Sequence, residues 1–383
     1  MVKKVKALFF IPTMIGGGAE RVMTNILCHI KSEKIEPVLV LLYQYEQSSR
    51  KKYLPENMKI IVLERDSDRL LDKIKQYAEF MKTVYKEKPH VIISFLTHCN
   101  IMSIHAKLLF KKRVIIGEHN TLTKITNTQD GRKMLWFSTK HLVQMFYRFA
   151  DNIIAVSEGV KTDLVEEFNI PPHNIEVIYN PIELNRIIEL SNDPVEHAFF
   201  REGIPVILSA GRLVPQKGFD ILLKAFRNVI REMDARLIIL GEGPERESLS
   251  RLVDNLAITE KVSFLGFQDN PYKFISKADV FVLPSRYEGL PMVILEAMAC
   301  GAPIVSTDCK SGPGEILQNG RHGVLIPPED VNALSTAILK LLRDKTLREG
   351  FSVSAKERVK EFIVENIVPK YEEMIYNSAL SAL

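Results

Sequence analysis

The feature that most constrains this 383-residue sequence is the alternation of short β-branched runs with helical segments. Such alternation is typical of βαβ units, in which parallel strands form a sheet that helices cover. After the first run, Met23, Ile26, Leu27 and Ile30 recur at helical spacing and give a helix one apolar face. The runs in the first half of the chain predict seven strands, at residues 7–11, 38–42, 60–63, 91–94, 114–117, 152–156 and 175–178.

The alternation begins again in the second half. It predicts strands over Val206–Ala210 and Arg236–Leu240 and within the segments KVSFLGF, ADVFVLPS, APIVSTD and GVLIPP. Residues 180–205 lose the pattern and contain prolines and mixed charge, which indicates a hinge near residues 181–184. The chain is also too long for one ordinary core. We therefore predict an α/β fold of two doubly wound parallel-sheet domains, residues 1–183 and 184–365, facing each other across a cleft.

Composition and charge restrict the partners. With 46% hydrophobic and 26% charged residues the chain is globular, and its net charge of +4 is too small to indicate a nucleic-acid partner. The charge is uneven, because residues 1–185 carry 27 Lys and Arg against 20 Asp and Glu, while the remainder carries 24 against 27. The basic half suits an anionic membrane surface or an acidic substrate, and an ordinary solvated face is the alternative.

Cysteine usage and hydropathy indicate the compartment. The four cysteines form no CxxC pair, which favours reduced thiols in the cytoplasm over a disulfide framework or a zinc site. No stretch approaches the roughly 18 to 20 apolar residues that a membrane helix requires. We expect a cytoplasmic protein that is soluble or peripheral to a membrane.

Residues 211–218 form a basic loop after the first strand of the second half. Arg212 supplies a guanidinium fork, Lys217 supplies an ammonium charge, and the helix that follows offers backbone N–H groups. Together these are the groups that bind a diphosphate. The alternative is a pair of surface cations.

Two loops of the first half are also candidates. Gly16, Gly17 and Gly18 would let the backbone approach a ligand closely, or would simply form a tight turn. They do not complete the dinucleotide fingerprint, whose third glycine would fall at Arg21, and this argues against a nicotinamide dehydrogenase. In the segment GEHN at residues 117–120, His119 would bond a sugar hydroxyl near neutral pH, or would be structural.

The segment SRYEGLPMVILEAMACGAP places two glutamates eight positions apart, the second inside an apolar helix. A buried carboxylate costs free energy unless a polar group meets it. Because proline suits the first helical turn, Pro291 predicts a helix start that leaves Glu288 on the loop and Glu296 in the second turn. One nucleotide-sugar would then contact all these groups, with its sugar on Glu288, its diphosphate on the helix start, and its ribose on Glu296.

These residues resemble the retaining glycosyltransferases of family 4, which have the GT-B fold of two Rossmann-like domains. The resemblance spans nearly the whole chain in family order. It rests on the segments GGAER, GEHN, AVSEGVKTDL, VIYNPI, GRLVPQKGFDILLKAF, LIILGEGPERESL, FLGF and ADVFVLPSRYEGLPMVILEAMACGAPIV.

The resemblance implies an acceptor-binding first domain, a donor-binding second domain, and a last helix, near residues 366–383, that crosses back to the first. Arg212 and Lys217 would clamp the donor diphosphate, and Glu288 would bind the transferred sugar. His119 would contact that sugar near its reacting carbon. The remaining donor contacts would come from the backbone of Gly17, Gly18, Gly289, Leu290 and Pro291, from Glu296 at the ribose, and from Gly266, Phe267 and Gln268 at the base.

The resemblance also implies a mechanism with no clear side-chain nucleophile. The acceptor hydroxyl would attack on the face from which the diphosphate leaves, and the leaving phosphate would take the proton. We expect no metal requirement, because the only Asp-x-Asp sequence, Asp66-Ser67-Asp68, lies in a charged run away from the donor loops.

The sequence indicates the donor sugar and the acceptor less closely than it indicates the donor-binding residues. Residues 311–315, SGPGE, resemble the variant in transferases of bacterial surface polysaccharides and oligosaccharide-lipids, several of which use UDP-sugars. The expected acceptor is a glycan or a lipid-linked saccharide. The segments RLLDKIKQYAEFMKTVYKEK and GRKMLWFSTKHLVQMFYRF would lie on an anionic membrane or be ordinary helices with an exposed face. The alternative functions are a sugar-nucleotide epimerase or hydrolase on a similar fold and a non-catalytic nucleotide-sugar-binding subunit.

Overall fold

The computed structural model describes residues 4–31, 33–43, 53–63, 70–123 and 133–380. These residues form two compact units. The first unit contains Met1–Pro181 and Val364–Leu383, and the second contains Ile182–Ile363. The boundary predicted after residue 183 lies two residues from this division.

The first domain is built on a seven-stranded parallel sheet in the order β3-β2-β1-β4-β5-β6-β7. Its strands are β1 Val5–Ile11, β2 Ile35–Leu41, β3 Lys59–Val62, β4 Val91–Phe95, β5 Arg113–Glu118, β6 Asn152–Ala155 and β7 Ile175–Val177. Its helices are α1 Gly18–His29, α2 Leu70–Glu87, α3 Thr97–Phe110, α4 Lys133–Phe146 and α5 Glu158–Phe168, to which the last helix of the chain, Val364–Leu380, is added.

The second domain is built on a six-stranded parallel sheet in the order β10-β9-β8-β11-β12-β13. Its strands are β8 Val206–Ala210, β9 Arg236–Leu240, β10 Val262–Gly266, β11 Val280–Leu283, β12 Ile304–Thr307 and β13 Val324–Ile326. Its helices are α6 Leu184–Ser191, α7 Phe219–Glu232, α8 Arg246–Asn255, α9 Tyr272–Ile275, α10 Met292–Cys300, α11 Pro313–Ile316, α12 Val331–Arg343 and α13 Lys345–Arg358, and the last helix of the chain is α14.

The structure confirms the predicted class of two parallel-sheet α/β domains. Each of the thirteen predicted runs overlaps a strand, because each is a short apolar segment that fits a parallel sheet. The outermost strands β3 and β10 are only partly buried. The helix predicted at residues 366–383 is α14, which begins two residues earlier, and its predicted last three residues lie outside the described part of the chain.

The order of the strands determines where a ligand can bind. In the second sheet, β9 and β10 lie on one side of β8, while β11 lies on the other. The connections that follow β8 and β11 therefore lead to opposite sides, β8 to β9 and β11 to β12. We call this place the switch point, and the carboxyl edge of the sheet at a switch point is the usual ligand site of such sheets. The first sheet has the same reversal between β1 and β4.

Candidate active site

The centre of the candidate site is an ion pair between the loops that follow β8 and β11. Lys217 Nζ lies 2.5 Å from Glu288 Oε1, although the residues are 71 positions apart in sequence. The two strands are neighbours, so parallel pairing brings both loops to one edge of the sheet. Only 5% of the Glu288 side chain and 20% of the Lys217 side chain are exposed. The structure thus brings two of the predicted site residues into contact at the switch point.

Two serines hold Glu288 and were missed by the sequence reasoning. Ser285 Oγ donates to Glu288 Oε1 at 2.6 Å. Ser311 Oγ lies 3.1 Å from the Glu288 carbonyl oxygen and 2.8 Å from that of Gly289, and so binds the backbone of the same loop. Both serines are buried. Ser285 lies three residues before Glu288 and Ser311 lies 23 residues after it, and only the fold shows that both hydroxyls point at this loop.

The close approach of the two loops depends on Gly218. This residue has a φ of +64°, and a Cβ placed on it would lie 2.1 Å from the carbonyl oxygen of Pro284. No side chain fits in that space, so Gly218 lets the basic loop pack directly against the end of β11. Lys217, the preceding residue, is thereby directed at the Glu288 loop.

Arg212 and the loop before α10 complete this edge. Arg212 is exposed on the loop after β8 and is not part of the ion pair. Gly289, Leu290 and Pro291 are buried, and α10 begins at Met292, with Pro291 one position before it at the N-cap. The prediction that Pro291 opens the helix is therefore displaced by one residue. The start of α10 still offers partial positive charge beside Glu288.

Glu296 lies in the second turn of α10, as predicted, with 2% of its surface exposed. Its Oε1 accepts a hydrogen bond from the Tyr272 hydroxyl at 3.3 Å. The sequence predicts a substrate hydroxyl as the polar partner of Glu296, and Tyr272 on α9 is a further partner within the protein. Tyr272 was missed because nothing in its sequence context indicates that α9 packs beside α10.

The predicted base-binding residues follow β10. Gly266 ends that strand with a φ of +68°. Phe267 is 51% exposed, and the Gln268 side chain donates to the Leu265 carbonyl oxygen at 2.7 Å. An exposed aromatic ring at the carboxyl edge of a sheet offers a surface on which a base can stack.

In the first domain, Gly17 is the N-cap of α1 and Gly18 is its first residue. The Glu20 side chain accepts hydrogen bonds from the backbone N–H groups of Gly16 at 2.6 Å and Gly17 at 2.5 Å. Glu20 therefore already occupies the Gly17 amide. A ligand that binds this amide, as predicted, has to displace that carboxylate.

His119 follows β5 and is buried, with 8% of its surface exposed. Its ring packs on Phe95, with the centroids 4.3 Å apart, and neither ring nitrogen has a hydrogen-bond partner among the described residues. Burial lowers the pKa of His119 to about 3. The imidazole is therefore neutral at physiological pH, with one donor and one acceptor for a ligand.

Beside His119, Glu118 forms a buried polar network that sequence reasoning did not assign. It accepts hydrogen bonds from Asn100 Nδ2 at 3.0 Å, from Thr97 Oγ1 at 3.4 Å and from the Tyr147 hydroxyl. Burial is the main cause that raises the pKa of Glu118 to about 7, and the charge of Asp163 contributes. The network ties α3 and the turn after α4 to the end of β5.

The described ranges contain neither a metal-binding cluster nor a membrane-spanning helix. No group of three or more His, Cys, Asp and Glu side chains there is arranged to hold a metal ion, and Asp66 and Asp68 lie outside those ranges. Among the same residues, no helix has the length and apolar character needed to cross a bilayer. The four cysteines, Cys28, Cys99, Cys300 and Cys309, are free thiols.

The geometry defines what the second domain can bind. A cation, a held carboxylate, a helix start and a buried second carboxylate share one edge of a parallel sheet. This combination suits a ligand with a diphosphate between two sets of hydroxyl groups. Glu288 is engaged by Lys217 and Ser285, which suits hydrogen bonding to a sugar more than nucleophilic attack.

Comparison with solved structures defines the class of the fold. The structure of Anabaena Alr3699/HepE in complex with UDP and glucose superposes with a TM-score of 0.81 at 20% identity, covering 99% of this chain and all of that one. Together with the two parallel-sheet domains, this likeness identifies a GT-B fold.

Comparison of sequences defines the family. Residues 16–186 match the model described as Glycosyltransferase Family 4, and residues 195–358 match that of Glycosyl transferases group 1. The chain is 31% identical, over 92% of its length and 94% of the relative's, to an N-acetylgalactosamine-N,N'-diacetylbacillosaminyl-diphospho-undecaprenol 4-alpha-N-acetylgalactosaminyltransferase of Campylobacter jejuni.

A second Campylobacter jejuni relative, a GalNAc-alpha-(1->4)-GalNAc-alpha-(1->3)-diNAcBac-PP-undecaprenol alpha-1,4-N-acetyl-D-galactosaminyltransferase, is 28% identical over 97% of this chain and 98% of its own. The chain belongs to glycosyltransferase family 4, and its activity is glycosyl transfer.

Proposed function

We propose that this glycosyltransferase moves a hexose or N-acetylhexosamine from a UDP-sugar to a lipid-linked saccharide, with retention of the anomeric configuration. The observation that carries the proposal is the Lys217–Glu288 pair at the switch point of the second sheet. It places a cation for phosphate directly beside a carboxylate for sugar hydroxyls. A nucleotide-sugar has those two groups adjacent to each other.

The contacts suggest how the donor lies. Because Lys217 is next to Glu288, it would bind the phosphate that is attached to the sugar, while Glu288 binds the sugar hydroxyls. Arg212 and the start of α10 would share the diphosphate charge, and Gly289, Leu290 and Pro291 would line the pocket. Glu296 would bind the ribose, and Gly266, Phe267 and Gln268 would bound the base.

In the proposed reaction the acceptor hydroxyl attacks the anomeric carbon from the side on which the diphosphate departs. The bond from that carbon to the phosphate oxygen breaks, and the acceptor proton passes to the leaving phosphate. Lys217, Arg212 and the α10 dipole stabilise the negative charge that develops there. His119, neutral and with both ring nitrogens available, would orient the sugar. No step in this scheme requires a metal ion.

The acceptor class is proposed from the relatives. Both Campylobacter jejuni enzymes are named for saccharides carried on diphospho-undecaprenol. A lipid-linked acceptor lies at a membrane, so we place the enzyme at the cytoplasmic face of one. The first domain has a surface suited to this location, which we call the α2–α4 surface.

The α2–α4 surface combines exposed apolar and basic side chains on adjacent helices. Ring contacts join Tyr85 to Phe110 at 6.2 Å and His105 to Phe146 at 4.5 Å, so α2, α3 and α4 are neighbours. Lysines are adjacent in sequence to several exposed apolar residues of these helices, and a surface with both can associate with anionic lipid. Its exposed apolar members are Leu71, Ile74, Tyr85, Leu108, Leu109, Met145 and Phe149.

Two alternatives make different products. An epimerase or hydrolase on this fold would release an isomerised nucleotide-sugar or a free sugar, and a binding subunit would release nothing. Family membership favours transfer, since both matching family models describe glycosyltransferases.

The first experiment is calorimetric titration of UDP, GDP, ADP and NAD into the wild type and into the Arg212→Ala/Lys217→Ala double variant. We expect UDP to bind and the double variant to lose that binding. Product analysis by NMR with a UDP-sugar and a diphospho-undecaprenol saccharide then tests transfer and its stereochemistry. Binding of NAD alone, an inverted anomeric centre, or activity that a chelator abolishes and metal restores would each contradict the corresponding part of the proposal.

A further inference from the structure

Arg286 joins the two loops that carry the candidate donor site. Its guanidinium donates from Nη1 and Nη2 to the two carboxylate oxygens of Asp220, at 2.9 Å each. Nη1 also donates to the Pro215 carbonyl oxygen at 2.6 Å. The backbone N–H of Arg286 donates to the carbonyl oxygen of Gln216 at 2.8 Å. Arg286, on the loop after β11, is thus bonded to the turn after β8 at Pro215 and Gln216 and to α7 at Asp220.

These bonds involve residues that are close in sequence to Lys217 on one loop and to Glu288 on the other. Pro215 and Gln216 immediately precede Lys217 in a single 3₁₀ turn, Pro215–Lys217, and Arg286 lies two residues before Glu288. The Gln216 side chain returns a bond in the opposite direction, from Nε2 to the Tyr287 carbonyl oxygen at 2.9 Å. The relative position of the ammonium and the carboxylate is therefore fixed through neighbouring residues.

The Arg286 bonds join the two loops at the switch point, beyond the last paired residues of β8 and β11. Beyond the carboxyl ends of β8 and β11 the loops no longer share ladder hydrogen bonds. Asp220 belongs to the first turn of α7, so the guanidinium also anchors the Glu288 loop to that helix. From the far side, Arg286 Nε donates to Glu329, a residue that precedes α12, at 2.9 Å.

We infer that Arg286 is a positioning residue of the donor site: it holds the Lys217 turn and the Glu288 loop together before any ligand binds. Its consequence for donor binding rests on the proposed function. The planar fork matters, because a lysine at this position would keep the charge but would be unable to bind both Asp220 oxygens and Pro215 at once. A preorganised site loses less free energy on binding than one that must first assemble.

The inference is tested first without ligand, by hydrogen–deuterium exchange on the full chain carrying Arg286→Lys. We expect faster exchange in residues 213–218 and 284–290 and unchanged exchange in the other strands and helices of the second domain. Glu329→Gln is the matched control, since it removes only the partner that is 64% exposed, and its exchange should equal that of the wild type. Unchanged exchange in the two loops, or faster exchange throughout the domain, would overturn the inference.

The second measurement compares UDP with UMP by calorimetry. UDP carries the second phosphate that Lys217 is proposed to bind, whereas UMP does not. Arg286→Lys should weaken UDP about tenfold and leave UMP within twofold, because a misplaced Lys217 affects only the second phosphate. A parallel loss for both nucleotides indicates a general structural role and contradicts the inference.

Failure of the proposed function gives a different result. If the wild type binds neither nucleotide, the donor assignment is wrong, while the exchange experiment still decides whether Arg286 holds the two loops. If Arg286→Lys does not fold, Asp220→Asn weakens the same bidentate interaction by changing its carboxylate. It should then give smaller increases in loop exchange and a smaller loss of UDP affinity.

Discussion

The hydroxyl of Tyr272 donates to Glu296 Oε1 at 3.3 Å, across the contact between α9 and α10. Both residues are buried, with 8% and 2% of their surfaces exposed. Glu296, which is proposed to bind ribose, thus accepts a hydrogen bond from a tyrosine when no nucleotide is bound. This explains how an apolar helix tolerates Glu296 between turnovers, because a buried carboxylate with a hydrogen-bond donor costs much less than one without.

We predict that Tyr272→Phe lowers the free energy of unfolding by about 1–3 kcal/mol, the usual cost of removing one partner of a buried polar group. Saturating UDP should reduce this loss, since ribose hydroxyls then donate to Glu296. Urea denaturation with and without UDP measures both values. Tyr85 is 67% exposed, so Tyr85→Phe is the control and should leave the free energy of unfolding unchanged with and without UDP. An equal loss in both conditions would show that ribose does not reach Glu296.

Lys217→Ala should lower kcat by about 10²- to 10³-fold, the range for removing one donor that stabilises charge in a transition state. It should also lower the free energy of unfolding by about 1–3 kcal/mol, because Glu288 stays buried without its cation. Steady-state kinetics and denaturation of the same variant separate the two effects.

Two variants control this prediction. Lys217→Ala/Glu288→Gln removes both charges and should recover stability without recovering turnover. Lys224→Ala removes a lysine whose side chain is 48% exposed, one helical turn from Asp220, and should alter neither quantity by a measurable amount. Near-normal turnover in Lys217→Ala would exclude a role for this residue in stabilising the leaving group.

The sequence predicts the strands, and it places Glu288 on a loop and Glu296 in the second turn of a helix, because these features depend on local pattern. Apolar runs fit parallel strands wherever they occur, and the carboxyl-edge rule then places Lys217 and Glu288 together. Tyr272, Ser285 and Arg286 were not assigned, since their roles depend on side-chain direction and on contacts between elements distant in the chain. Glu118 was overlooked for the same reason, as its partners lie on α3 and after α4.

The close approach of the two loops at Gly218 is tested by substitution of glycines. Gly218→Ala should destabilise the protein by more than 2 kcal/mol and abolish UDP binding, because a Cβ would lie 2.1 Å from the Pro284 carbonyl oxygen. Gly203→Ala has nearly the same φ, +67°, but has no atom within 4 Å of the new Cβ, so it should cost only about 1 kcal/mol. Thermal denaturation and calorimetry compare them. Equal costs would mean that backbone strain, and not the close contact, determines the effect.

Glu118 should make stability depend on pH. Its folded-state pKa of about 7 exceeds its ordinary value of 4.5, so between those values the folded chain keeps a proton that the unfolded chain releases. Stability from this group is therefore complete below about pH 4.5 and is lost as the pH rises to 7. The total change is about 3 kcal/mol, at about 1.4 kcal/mol per pKa unit.

The comparison of wild type with Glu118→Gln isolates that dependence, because glutamine is neutral and can accept the same bonds from Asn100 and Tyr147. The variant should gain stability relative to wild type between pH 5 and 7.5. The opposite dependence from His119, whose pKa burial lowers to about 3, is common to both chains and cancels. Glu166→Gln, at an exposed position of α5, should behave as wild type. Parallel curves for wild type and Glu118→Gln would contradict the raised pKa.

We predict that the α2–α4 surface binds anionic membranes. Leu108 and Leu109 are adjacent at the end of α3, 52% and 62% exposed, and α3 is followed by three basic residues, Lys111, Lys112 and Arg113. Leu108→Glu/Leu109→Glu should lower co-sedimentation with vesicles containing anionic lipid at least tenfold, because it removes apolar contact and adds charge of the lipid's own sign. Val353→Glu/Leu380→Glu, which alters exposed apolar residues elsewhere, should bind as wild type does.

Activity on a short water-soluble acceptor should be unchanged in both variants, which separates membrane binding from catalysis. Wild-type protein that ignores anionic vesicles would remove the membrane from the proposed function and leave the donor site untouched.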